Sequence, residues 1–295
     1  MNNNILDIFD EAVKLYSGQA GKLLKLAACR YDKKIFPTFG QYDWFSGVLL
    51  YCLIRHVKPV RVIEVSTSSG YSTIFSAMAL KDNNFGKIYT FELSPIAAKA
   101  ALTNFKRFGV SKIIDLSVGD ALKNIKPLNL IRAKNKGKEI IFLDSEHTEE
   151  FVKKIIPLLL KNIGTESLFH IHDILPKNAD VMHRPLAGIY EKDFRYKAKL
   201  YWMLKRVAPS FIPGNLRNWV KPIKYNINYT TESRYVHKLA AKIPRSSQLF
   251  VHDIMDRYPG IKSQKFAGSV VGRCDKTGKP MEWNESWWVR CKELK

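Results

Sequence analysis

Hydrophobic residues recur at two different periods along this chain. Over the first stretch, roughly 1–58, the period is helical: Ile5, Ile8, Phe9, Val13 and Tyr16 recur at i, i+3, i+4 spacing. A second apolar run, Trp44 to Val57, predicts a helix buried on most sides. The period then changes. The segment VRVIEVS (60–66) is short, β-branched and apolar, as suits a strand covered on both faces. A small polar loop and the helical segment YSTIFSAMAL follow it.

That alternation repeats. KIYTFEL (87–93) predicts a strand, and a helix runs from Pro95 to about Phe108, its proline at a tolerated first position. KIIDLSVG (112–119) and EIIFLD (139–144) are further strands. A helix spans Thr148 to Asn162, and SLFHIHDI (167–174) is a fifth strand. Five such units predict a parallel sheet with helices on both faces, wound right-handedly in two directions. Helix Glu232–Lys242 and strands at 247–254 and 284–291 complete a mostly parallel seven-stranded α/β sheet. The division expected is an N-terminal helical segment (1–58), a Rossmann-like core (59–175), a basic insertion (176–231) and a C-terminal completion of the sheet (232–295).

Charge changes this picture in one place. Lys and Arg number 48 against 27 Asp and Glu, a net of +21. Over 176–245 there are 15 Lys and Arg and 4 Asp and Glu, a net of +11. That stretch holds scattered prolines and the rings Tyr196, Tyr201, Trp202 and Trp219, without a clean period. An irregular insertion after the fifth strand suits a lid over a ring-bearing, anionic substrate. Basic residues among aromatics also suit nucleic acid, and a small apolar subcore with a solvated basic face is the plainer reading. Lys outnumbers Arg by 34 to 14, so part of the basicity reflects codon bias.

Other classes are excluded or disfavoured. The apolar stretch Trp44–Ile54 is about half of the ~20 residues a membrane-spanning helix needs. The start MNNNILDIFDEA does not read as a secretory signal. Cys29, Cys52, Cys274 and Cys291 form no metal-ligand spacing, which points to free thiols in a reducing cytoplasm.

The candidate chemistry sits at strand ends. Glu64-Val65-Ser66-Thr67-Ser68-Ser69-Gly70-Tyr71-Ser72 joins the first strand to a helix N-terminus, where N–H groups and the dipole favour an anion. Glu92 ends the second strand, Asp120 follows the third, Asp144 and His147 follow the fourth, and His172-Asp173 ends the fifth. The loop resembles the E-x-G-x-x-x-G-Y-S loop of class I S-adenosylmethionine-dependent methyltransferases. More narrowly, it resembles catechol-type and macrolide-sugar O-methyltransferases. The likeness covers about 60–175 well and the closing strand NESWWVR weakly. It departs at Ser66, where the family has glycine, and a Cβ there is expected to crowd the cofactor.

The resemblance implies that Glu64, Ser66, Ser68, Gly70, Tyr71 and Ser72 hold S-adenosyl-L-methionine, with Ser72 donating to its carboxylate. Glu92 would accept the ribose hydroxyls, and Asp120 would lie beside the adenine. Asp144, His172 and Asp173 would bind a divalent metal, Mg²⁺ or Mn²⁺. The histidine departs from the acidic residue usual there. His147 would be the general base toward a sugar or related small-molecule hydroxyl, such as a phosphate-linked sugar or an acidic glycan. Asp120 as a helix cap, His147 and His172 as structural residues, and His170 as core remain open readings. The pair His252-Asp253 is structural or lies on the substrate side. A nucleic-acid (RNA) methyltransferase and a non-catalytic binding protein of this fold are the alternatives.

Overall fold

The structure is a computed structural model. It describes residues 4–30, 32–37, 42–134, 137–144, 148–172, 174, 232, 235–254, 257–262, 272–273, 280–281 and 286–295. The expected basic insertion, its rings, His147, Asp173 and Cys274 lie outside the described residues.

Helix α1 (Ile5–Tyr16) starts on a capping box, in which Asn4 accepts from Leu6 N–H and Asp7 reaches back to Asn4 N–H. A 3₁₀ stretch (Ser17–Leu23) and α2 (Leu24–Ala28) follow it. Helix α3 (Trp44–Val57) is buried along all of Trp44–Ile54, as its continuous apolar run requires. Asp43 caps it, accepting from Ser46 N–H at 2.8 Å, and Lys58 ends it in a left-handed conformation.

The core alternates as the hydrophobic pattern demands: β1 (Arg61–Val65), α4 (Tyr71–Asn83), β2 (Lys87–Glu92), α5 (Pro95–Arg107), β3 (Ile114–Val118), α6 (Ala121–Lys134), β4 (Glu139–Leu143), α7 (Glu149–Leu160) and β5 (Leu168–His172). Pro95 opens α5 behind the cap Ser94, and Thr148 caps α7. Next come β6 (Gln248–Phe250), a two-stranded ribbon of β7 (Gly272–Arg273) and β8 (Pro280–Met281), and β9 (Ser286–Arg290).

The large sheet has seven strands in the order β3-β2-β1-β4-β5-β9-β6. The first five run parallel, while β9 is antiparallel to both β5 and β6. This is the doubly wound, mostly parallel α/β architecture that the alternation predicts. One expected strand is shorter than its pattern. Residues 247–254 pair only over Gln248–Phe250, and a 3₁₀ turn through Val251–Asp253 places Asp253 in solvent.

Two apolar layers sandwich the sheet. Val62, Ile88, Ile140, Phe142, Leu168 and Trp288 pack against α1, α3, α4 and α5. Ile63, Val65, Ile141, Leu143, Phe169, Ile171 and Trp287 pack against α6 and α7. The two closing tryptophans therefore serve opposite faces, as strand alternation dictates. All five parallel strands end at one edge. The strand order reverses between β1 and β4, and ligands of open α/β sheets bind at such a crevice.

Candidate active site

The loop after β1 is held by its own backbone. Ser66 and Thr67 N–H both donate to Phe91 O at the end of β2, at 3.0 and 3.1 Å. Gly70 N–H closes a turn on Thr67 O at 2.8 Å. Three loop residues occupy the left-handed region: Ser66 (φ 76°), Ser68 (φ 51°) and Gly70 (φ 86°). Glycine suits the last for a second reason, since a Cβ there would lie 2.6 Å from Phe105 Cε1 of α5. The close approach Gly70 permits is therefore that of a core ring. Ser66 adopts a backbone that glycine occupies without strain, at a cost of about 1–2 kcal/mol for a residue with a Cβ.

Beneath the loop, Glu64 is 2% exposed. Its carboxylate accepts from three hydroxyls: Ser72 at 2.7 Å, Thr73 at 2.6 Å and Thr90 at 2.7 Å. Thr90 also meets Thr67 at 2.6 Å, so β1, β2 and the start of α4 are tied at one point. Burial pushes the carboxyl up to about 7; the three hydroxyls oppose the shift, and the charge of Asp144 adds to it. In this geometry the Ser72 hydroxyl serves Glu64, which makes Glu64 the anchor of the loop.

Glu92 faces the loop from the next strand end. One oxygen accepts Ser68 N–H at 2.6 Å and the other accepts Ser94 N–H at 2.8 Å. A carboxylate has about four acceptor sites, so two hydroxyl donors can still be taken. Beside it Leu93 is 73% exposed and Ile96 84% exposed, an apolar patch at a polar rim. Asp120 accepts Leu122 N–H at 2.9 Å at the head of α6, so it caps that helix.

Two of the three expected metal donors meet. His172 Nδ1 lies 3.5 Å from Asp144 Oδ1, at the ends of β5 and β4. Among the described residues no set of three His, Cys, Asp or Glu side chains is gathered for a metal. Tyr42 packs edge-on against His172, with ring centroids 4.7 Å apart. Asp43 follows it, buried, with its carboxyl pushed up by desolvation and drawn back by the Ser46 N–H bond and by the charges of Arg30 and His172. His170 lies between Phe142 and Trp288, at 4.7 and 4.3 Å, and burial drives its pKa well below the ordinary value. It is a neutral core residue.

The methyltransferase-domain family matches residues 63–174, a span that holds Glu64, Glu92, Asp120, Asp144 and His172. This span is similar to a methyltransferase domain, as the resemblance of the β1 loop implies. Among curated relatives, the catechol O-methyltransferase of Niastella koreensis is 28% identical over 154 residues, 51% of this chain and 67% of that protein. The caffeoyl-CoA O-methyltransferase of Stellaria longipes is 31% identical over 104 residues, 35% of this chain and 42% of that protein. The chain thus spans about two fifths to two thirds of the length of these relatives. A solved SAH-bound methyltransferase of Podospora anserina is 16% identical and covers 81% of this chain and 90% of its own, with a TM-score of 0.48.

Within the matched span, Glu64, Ser66, Ser68, Gly70, Tyr71, Ser72, Glu92, Asp120, Asp144 and His172 all lie at the carboxyl edge of the sheet. Sequence reading passed over Tyr42, Asp43 and Leu93. Asp43 carried a signal, an acid directly before a long apolar run, which marks a helix cap. Nothing local in the sequence placed that cap beside the end of β5.

Proposed function

We propose that this chain is an S-adenosylmethionine-dependent O-methyltransferase acting on a hydroxyl of a sugar or related small molecule. The observation that carries the reading is the pairing of the β1 loop with Glu92 across the sheet edge, at 2.6 Å. The residues fit the cofactor. Helix α4 begins at Gly70 without a side-chain cap, so its first-turn N–H groups and dipole suit a carboxylate. Glu92 retains acceptor capacity for ribose hydroxyls. The exposed Leu93 and Ile96 suit the face of an adenine.

When bound, the cofactor supplies an electrophilic sulfonium methyl, and a divalent ion lowers the pKa of an acceptor hydroxyl. The protein's task is to position that oxygen in line with the methyl, exclude water and accept the proton. Asp144 and His172 offer one hard oxygen and one nitrogen donor to an ion such as Mg²⁺ or Mn²⁺. In this reading Asp173 is the third donor and His147 the base, both on sequence grounds. Buried Tyr42 forms the wall behind His172.

Isothermal titration of the full chain with S-adenosylmethionine and S-adenosylhomocysteine tests the reading. Binding of both is expected, weakened in Glu92→Gln. No heat of binding at millimolar ligand would refute it. Methyl transfer to a panel of sugar and phenolic hydroxyls, with and without Mn²⁺, then tests acceptor and ion separately.

A further inference from the structure

The edge of the sheet opposite the proposed cofactor site has its own character. Every parallel strand starts there, and helices α3, α4 and α5 end there. Lys81 lies in the last turn of α4, and Lys106 and Arg107 in the last turn of α5, where a helix dipole favours cations. That preference accounts for those three residues. It does not account for an exposed ring at the same edge. Phe85, in the turn between α4 and β2, is 50% exposed.

The backbone around Phe85 is tightly built. Phe85 N–H donates to Leu80 O at 3.3 Å and Lys87 N–H to Val60 O at 3.2 Å. Gly86 has φ 91°, and a Cβ there would lie 2.4 Å from Pro59 O, so the turn is pressed onto the entry to β1. This brings exposed Lys58 alongside. Val60 N–H donates to Lys138 O at 2.9 Å, and Lys138 is exposed. Lys81 Nζ donates to Gly109 O at 3.3 Å, joining the turn that carries exposed Lys112. The nearby acids are engaged. Lys22, Arg55 and Tyr51 hold Asp82, Lys87 pairs with Asp115 at 2.6 Å, and Arg61 pairs with buried Glu139. Glu11 and Glu166 line one cavity with Lys138, His56 and Arg290, so Lys138 stands beside acids and outside the basic tip.

We infer that this tip is a peripheral docking surface for an anionic phospholipid bilayer. Phe85 would enter the headgroup layer, and Lys58, Lys81 and Lys112 would face lipid phosphates. A ring among snorkelling lysines is the chemistry of an interfacial anchor. A nucleic-acid surface instead uses a row of stacking rings, and Phe85 is the one exposed ring among the described residues of this tip. Among the described residues no helix is long and apolar enough to cross a membrane, so the contact is superficial. It places the proposed cofactor edge away from the bilayer.

The test is co-sedimentation of the full chain with phosphatidylcholine vesicles, with and without phosphatidylglycerol, at low and physiological salt. Pelleting that needs phosphatidylglycerol and weakens with salt is expected. Phe85→Ser should reduce it, and Lys81→Gln with Lys112→Gln should reduce it by about fivefold per lysine. Lys154→Gln on α7 should leave it unchanged, and circular dichroism checks that each variant is folded. Absence of phosphatidylglycerol-dependent pelleting overturns the inference, as does equal pelleting of wild type and both tip variants. Retention of single-stranded RNA without vesicle binding would reassign the surface to nucleic acid. None of these outcomes depends on cofactor binding.

Discussion

Replacing Glu64 by glutamine changes a single proton site and no shape. In the folded chain this carboxyl titrates at about 7, against an ordinary value of 4.5. The cause is burial at 2% exposure, only partly offset by the Ser72, Thr73 and Thr90 hydroxyls. The folded state therefore holds its proton more tightly than the unfolded chain. Its contribution to stability is complete below pH 4.5 and is lost as pH rises through about 7. At about 1.4 kcal/mol per pKa unit, the loss is about 3 kcal/mol. Glutamine keeps one acceptor oxygen for the hydroxyls and carries no charge at any pH. Urea unfolding of wild type and Glu64→Gln at about pH 5 and about pH 8 measures the difference. The wild type should lose about 2.5 kcal/mol relative to the variant between the two, part of the loss being already present at about pH 5. Asp144→Asn should shrink that loss, since the charge of Asp144 adds to the shift. A wild-type-minus-variant difference that does not move with pH would show that Glu64 is ionised throughout and refute the reasoning.

Three further outcomes are expected. Gly70→Ala forces a Cβ toward Phe105 and a left-handed alanine; together these should cost about 2–5 kcal/mol in a denaturant titration. Glu92→Gln keeps the fold but turns one acceptor oxygen into a donor facing Ser68 or Ser94 N–H, so S-adenosylhomocysteine should bind at least about tenfold more weakly by calorimetry. Arg61→Met leaves Glu139 buried and charged and should cost about 3–5 kcal/mol, most of it recovered when Glu139→Leu is added.

Much of the site was legible because it hangs on strand ends, and strands announce themselves by apolar runs. Glu92, Asp144 and His172 each close such a run, so their place at one edge followed from the parallel alternation alone, while Glu64 interrupts the run of β1 one residue before its end. Their partners were less legible. The resemblance implied that Gly70 and Ser72 hold the cofactor, and it was silent on their neighbours within the chain: Gly70 lies against Phe105, and Ser72 bonds Glu64 eight residues earlier. Ser66 was expected to matter as a bulky group, whereas the structure shows a residue in a left-handed backbone.

By itself, then, the sequence determined the alternation of strands and helices, the burial of α3 and the edge at which the chemistry gathers. Those are properties of period and polarity, which act along the chain over a few residues. The tertiary structure alone decided that Tyr42 and Asp43 stand beside His172, across more than a hundred residues of chain, and that Glu64 is sealed under three hydroxyls. It also decided that Phe85 stands exposed at one edge with Lys58, Lys81 and Lys112, which come from three separate segments. Such contacts arise where distant segments are packed side by side. No local pattern encodes them, because the energy that selects them is the burial of the whole sheet rather than the preference of any one segment.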